Sequence, residues 1–143
     1  MHQVGPYRLW LGSVVDAWSL REVLQCDVQA IIDLASNEAP LQLTRDLIYC
    51  RFPIVDGVGN DPAVLRLAID TVIALMQNGT PTFLFCSAGM SRSPAILAAA
   101  IARQTKRSLS DCLAEVVLGH PHDVAAGLVH DLQRLDTQLR DES

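Results

Sequence analysis

The chain has no apolar run long enough to cross a bilayer: its longest, Ala95 to Ala102, falls far short of the roughly 20 residues that a spanning helix needs. Its first residues, Met1-His2-Gln3-Val4-Gly5-Pro6, contain neither the basic stretch nor the apolar stretch of a secretory leader. Positive charge is also short. With 11 Lys+Arg against 16 Asp+Glu the net charge is −5, which argues against non-specific attraction to nucleic acid or anionic lipid and leaves scope only for a local basic pocket. Cys26, Cys50, Cys86 and Cys112 lack paired metal-ligand spacing, and His2, His120, His122 and His130 lack both ligand and triad spacing. His120-Pro121-His122 reads as a solvent-facing turn. There is no internal repeat, linker or low-complexity tract. These absences lead us to expect a soluble cytoplasmic protein with reduced thiols, no bound metal, and neither a nucleic-acid nor a membrane partner.

What is present suits one domain over residues 1–143: half of the residues are hydrophobic, enough for a single sizeable core. Short runs at Tyr7 to Leu11, Val28 to Leu34, Leu47 to Phe52 and Thr82 to Phe85 read as strands. Between the third and fourth, Asp61 caps and Pro62 begins a helix with Leu65, Ala68, Ile69, Val72, Ile73 and Met76 on one face, ended by Gly79. Three more helices are expected: Pro94 to Gln104, Ser108 to Leu118 with a cap-like Ser108 and Asp111, and Asp123 to Leu139 with a leucine stripe. Alternating strands and helices predict an α/β fold, a mostly parallel central sheet flanked by helices, with its ligand beyond the carboxyl ends of the strands.

Cys86-Ser87-Ala88-Gly89-Met90-Ser91-Arg92-Ser93 lies just there, between the last strand and the following helix. A helix N-terminus leaves N–H groups unpaired and carries partial positive charge, so main chain alone can hold a phosphate-sized dianion. Gly89 lets the turn curl, and small Ser87, Ala88 and Ser91 keep the amides accessible. Arg92 adds a planar fork of donors suited to two phosphate oxygens, and the same positive field suits an anionic sulfur on Cys86. Ser93 is expected to cap the next helix through its hydroxyl and to donate to the sulfur from there. A cysteine six residues before an arginine is a weak pattern alone; only Cys86 meets it, and the apolar strand before, the glycine within and the helix after supply its context.

The remaining candidates are less determined. Asp56 ends the Phe52-Pro53-Ile54-Val55-Asp56 segment 30 residues before Cys86 and opens the flexible-looking Gly57-Val58-Gly59-Asn60 stretch; by itself it reads as the start of an Asp-Gly turn rather than as a catalytic acid. Asp61 suits a helix cap. Asp33 is an interior-looking carboxylate suited to backbone or to the anion-binding loop. Ser36-Asn37-Glu38 is placed to shape a substrate pocket, and Cys50 is either a small core residue or a redox partner for Cys86.

C-S-A-G-M-S-R-S-P resembles the C-x5-R-S loop of cysteine-dependent protein tyrosine phosphatases, and its A-G-x-S-R-S core resembles the small dual-specificity branch. Similarity extends to Tyr7-Arg8-Leu9-Trp10-Leu11-Gly12-Ser13, Val28 to Ala35, Phe52 to Asp56 and the helix start at Ser108 to Leu113, and so covers nearly the whole chain. The resemblance implies the phosphatase fold and a cofactor-free hydrolase. In that reading Cys86 is the nucleophile, Ser87 to Arg92 bind phosphate, Asp56 is the general acid and Ser93 assists departure of the sulfur from a phosphocysteine. It also implies a phosphorylated protein as substrate, with phosphotyrosine favoured because the loop lacks the lysines of phosphoinositide-directed relatives, and phosphate or sulfate as loop ligands. A rhodanese-like sulfurtransferase and a non-catalytic phosphopeptide-binding module are the alternatives. Two positions depart from the pattern: Phe85 stands where the family usually has histidine, and Ala125-Ala126 where many relatives have an asparagine before the equivalent of Gly127.

Overall fold

Thr82-Phe83-Leu84-Phe85-Cys86 forms β5, all five residues buried, and a strand with no face for solvent belongs inside a sheet. The computed structural model describes residues 1–43 and 45–142 and places β5 in the middle of five strands. The others are β1 (His2–Gln3), β2 (Leu9–Ser13), β3 (Ala30–Asp33) and β4 (Ile48–Arg51), in the order β1-β2-β5-β3-β4. All pairings are parallel except β1 with β2. The register sets Ser13 beside Cys86 and Asp33 beside Phe85, so three loops leave the sheet at the same edge.

Side-chain alternation sends the two faces of the sheet to different cores. Leu9, Leu11, Ala30, Ile32, Leu84 and Cys86 share a cluster with α3 (Pro62–Gln77), α4 (Arg92–Thr105), α5 (Leu109–Val117) and α6 (Ala126–Asp141). Ile31, Phe83 and Phe85 meet Val14, Ala17 and Val23 from two short helices, α1 (Val14–Trp18) and α2 (Leu20–Leu24). β2 therefore leads to a helix on one face and β5 to a helix on the other. Neighbouring strands whose connections part in this way leave a crevice at their carboxyl ends.

The expected α/β architecture is present, with shifts at its edges. β2 ends at Ser13 rather than Leu11, and β1, α1 and α2 have no counterpart in the periodicity. On α3 the buried stripe is Leu65, Ala68, Ile69, Val72 and Leu75; Ile73 and Met76 are only partly buried beside it. Asp61 is the α3 cap, its carboxylate accepting from Ala63 N–H at 2.9 Å, and Ser108 caps α5 by accepting from Asp111 N–H at 3.1 Å. α4 begins at Arg92, not Pro94, with Ser91 at its cap position; proline is tolerated anywhere in a first turn because those N–H groups lack helical partners. α6 begins at Ala126 rather than Asp123 because residues 123–125 are drawn off to the β5–α4 loop. Among the described residues no helix is long and apolar enough to cross a membrane.

Asp33 organises the β3–β4 loop. Its buried carboxylate accepts from Ala35 N–H at 2.9 Å and from the Tyr49 hydroxyl at 2.5 Å, with Arg51 Nε 3.8 Å away. These partners are backbone and β4 side chains, not the anion-binding loop. Burial pushes the Tyr49 phenol above its ordinary value, and the bond it donates to Asp33 adds to this. A group whose folded value is raised stabilises fully below its unfolded value and loses that stabilisation as pH climbs through the raised one. Tyr49→Phe should therefore cost about 1–3 kcal/mol at neutral pH, the price of an under-satisfied buried acceptor. The difference from wild type should narrow above about pH 10. Urea unfolding at neutral and alkaline pH checks this; no loss at pH 7, or a gap constant with pH, contradicts it.

Candidate active site

The eight-residue loop from Cys86 to Ser93 closes over the carboxyl end of β5 and is tied down from three directions. From below, Val14 N–H donates to Ser87 O at 3.2 Å, and Gly89, at φ +75°, rests on the β2–α1 turn. A Cβ at Gly89 would lie 2.9 Å from both C and O of Gly12, so glycine is required twice over, by dihedral and by space. Gly12 is equally confined: a Cβ there would meet Asp16 Oδ2 at 2.6 Å and the Phe83 ring at 2.8 Å. Asp16 is held in place by a capping box, accepting from Ser13 N–H at 2.9 Å. From the α5–α6 side, Asp123 N–H donates to Met90 O at 3.0 Å and Ala125 N–H to Ser91 Oγ at 2.9 Å. From the β3–β4 loop, Asn37 reaches Ser87 and Arg92.

Cys86 is only 2% exposed, and its Sγ lies 3.2 Å from Ser93 Oγ. Ser93 is inside the first turn of α4, which corrects the expectation that it caps the helix; Ser91 occupies that position, without a side-chain cap bond. The Ser93 hydroxyl addresses the sulfur instead. Arg92, 7% exposed, donates from Nη1 to Asn37 Oδ1 at 2.9 Å and from Nη2 to Ser87 Oγ at 3.0 Å, while its buried Nε has no protein partner. A buried, charged donor without a partner is costly unless an anion meets it. Sulfur, cation and the first N–H groups of α4 thus gather around one loop, which suits a nucleophile working on a bound oxyanion.

Asp56 reaches this loop from the β4–α3 segment: its Oδ1 accepts from Ser91 Oγ at 2.5 Å. The Gly57-Val58-Gly59-Asn60 stretch is not a loose tether. Asn60 Oδ1 accepts from Val55 N–H at 2.7 Å, its Nδ2 donates to Val55 O and Gly57 O at 2.9 and 3.1 Å, and its N–H donates to Asp131 on α6 at 3.2 Å. Val58 packs against Gly127, where a Cβ would come within 2.5 Å of Val58 Cγ1. Asn60 closes the segment that carries Asp56, and Asp131 and Gly127 seat it on α6; nothing in the sequence signals the last two contacts, because they join residues about 70 apart in the chain.

Phe85 is buried and stacks on Phe83 at 5.6 Å, in the core on the opposite face from Cys86. The loop is fixed by the contacts above in place of a histidine before the nucleophile. Ala125, one of the two alanines before Gly127, serves the loop with its backbone N–H. The register separates Cys50 from Cys86 by two strand spacings and two residues along the sheet, about 12 Å between Cα atoms. A disulfide needs them within roughly 7 Å, so Cys50 is a packing residue and not a partner for Cys86. His120 and His122 are exposed, as expected of the turn, although the His120 ring also stacks on His2 at 3.5 Å.

No protein-family model matches the chain. Human dual specificity protein phosphatase 15 is 28% identical over 118 residues, which are 79% of this chain and 38% of the relative's length. Human DUSP28 superposes with a TM-score of 0.86 at 23% identity, covering 100% of both chains. The human tyrosine phosphatase-like serine/threonine/tyrosine-interacting protein gives 0.79 at 25% identity over 92% of this chain and 93% of its own. The chain is thus similar in sequence to a dual specificity protein phosphatase and shares the fold of DUSP28, with the β5–α4 loop at the crevice of that fold.

Proposed function

We propose that this chain is a cysteine-dependent phosphoric monoester hydrolase, a single catalytic domain acting in the cytoplasm on phosphotyrosine, with phosphoserine and phosphothreonine as a second class. The observation that carries the proposal is the buried Arg92 Nε, without a protein partner, in the loop that begins with Cys86 and is met from outside by Asp56. In the first step Cys86 Sγ attacks phosphorus in line, the S–P bond forms and the P–O bond breaks. Asp56 gives its proton to the departing oxygen, and Arg92 with the amides of Ser87 to Arg92 holds the equatorial oxygens. In the second step water attacks phosphorus and gives a proton to Asp56. The S–P bond breaks with the Ser93 hydroxyl, 3.2 Å away, donating to the sulfur.

Asp61 caps α3 while Asp56 meets the Cys86–Ser93 loop through Ser91, which supports Asp56 rather than Asp61 as the proton donor. A sulfurtransferase would have no use for an acid held at this loop. Uncharged Ser87, Ala88, Met90 and Ser91 give no extra cations to a polyphosphorylated headgroup, which supports a phosphoprotein substrate. The experiment is hydrolysis of p-nitrophenyl phosphate without added metal: vanadate-sensitive release of phosphate is expected. Saturable oxyanion binding without release would show a binding module, and thiosulfate-to-cyanide transfer without phosphate release a sulfurtransferase; either result overturns the proposal.

A further inference from the structure

We infer that Asn37, outside the Cys86–Ser93 loop, is a positioning residue for the reaction: its carboxamide holds Arg92 Nη1 so that the Nε–Nη2 edge of the guanidinium faces the bound phosphoryl group. The inference rests on the phosphatase reading above. A guanidinium is planar and donates in the directions of a fixed fork, so the edge offered to an oxyanion is decided by whatever occupies the remaining donors. Nε and Nη2 share one edge, and Nη1 lies on the other side of the plane's axis. Here Nη1 is taken by Asn37 Oδ1 at 2.9 Å, one donor of Nη2 goes to Ser87 Oγ at 3.0 Å, and Nε is buried without a protein partner. The occupied positions thus leave the Nε–Nη2 edge for a ligand.

The carboxamide orientation is determined as well. Arginine only donates, so the amide oxygen must face Arg92; the amide nitrogen then donates to Ser87 Oγ at 2.9 Å. The loop bearing Asn37 is anchored in turn. Arg51 Nη2 donates to Ala35 O at 3.3 Å, to Ser36 O at 3.0 Å and to Glu38 O, while Glu38 N–H donates to Ala35 O at 2.9 Å. Asn37 is exposed, yet its side chain is committed to a buried cation 55 residues away. Neutrality is part of the design: a carboxylate in its place would pair with Arg92 and repel a dianionic substrate.

The test is a double-mutant cycle on the full chain with Asn37→Ala and Arg92→Lys, reading kcat/KM for p-nitrophenyl phosphate and protection of Cys86 from iodoacetate by tungstate. Asn37→Ala should weaken both readouts about tenfold, the worth of a lost charge-assisted hydrogen bond, with the melting temperature unchanged. In the Arg92→Lys background it should cost under about twofold, because lysine has no second terminal nitrogen to hold. Asn37→Asp should protect less well than Asn37→Ala. Equal losses in both backgrounds, no loss in either, or wild-type protection in Asn37→Asp overturns the assignment. Tungstate protection needs no turnover, so it still decides the role of Asn37 if p-nitrophenyl phosphate is not hydrolysed, a result that would count against the phosphatase reading alone.

Discussion

Cys86→Ser should abolish turnover, by roughly 10⁵-fold or more, while leaving oxyanion binding within a few-fold of wild type. The two halves have separate causes. A serine hydroxyl in the place of Sγ is a far poorer nucleophile, and the hydrogen-bond partner of Sγ, Ser93 Oγ at 3.2 Å, is a neutral hydroxyl that cannot act as its general base. Binding, by contrast, comes from Arg92 and the start of α4, which the substitution leaves in place. Substrate trapping by the serine variant, measured as affinity for a phosphotyrosyl peptide, is the expected outcome. Turnover near that of wild type removes Cys86 as nucleophile, and equal loss of binding and rate means that the substitution has collapsed the loop.

Asp56→Ala should lower kcat by about 10²–10⁴ for an alkyl phosphate and by much less for p-nitrophenyl phosphate. An alkoxide must be protonated as its bond to phosphorus breaks, whereas p-nitrophenolate leaves unaided. The carboxylate is poised for this at 2.5 Å from Ser91 Oγ, on a segment closed by Asn60 and seated on α6. Comparison with Asp61→Ala isolates the chemistry, since Asp61 caps α3 and its loss should cost about 1 kcal/mol of stability with little change in kcat. A leaving-group-independent effect of Asp56→Ala, or a larger catalytic loss in Asp61→Ala, contradicts the assignment.

The parts of this site that were legible in the sequence are those governed by local chemistry. Cysteine, glycine and arginine within eight residues, after an apolar run and before a helix, define an anion loop by residue type alone, and Asp61-Pro62 and Ser108 declare helix starts through capping. The acid role proposed for Asp56 rests on the family resemblance, because Asp-Gly also starts turns. What stayed hidden depends on long-range contacts. Asn37 acquires its meaning from Arg92, Asn60 from Asp131 across 71 residues, and Gly127 from Val58. The helices α1 and α2 are five residues each and owe their existence to Val14, Ala17 and Val23 filling the second core, so no periodicity announces them. Pro94 misled the placement of α4 because proline fits every position of a first turn.

The central claim is that phosphoryl transfer passes through Cys86, and rapid quenching tests it most directly. Wild type, Asp56→Ala and Cys86→Ser are mixed with ³²P-labelled p-nitrophenyl phosphate, whose phenolate leaves without an acid, quenched within the first turnover and digested, and the labelled fragment is identified by mass spectrometry. The account predicts label on Cys86 as phosphocysteine, accumulating further in Asp56→Ala, where no carboxylate activates the hydrolytic water, and absent in Cys86→Ser. Full turnover with no label on the chain, or label on any other residue, would contradict it.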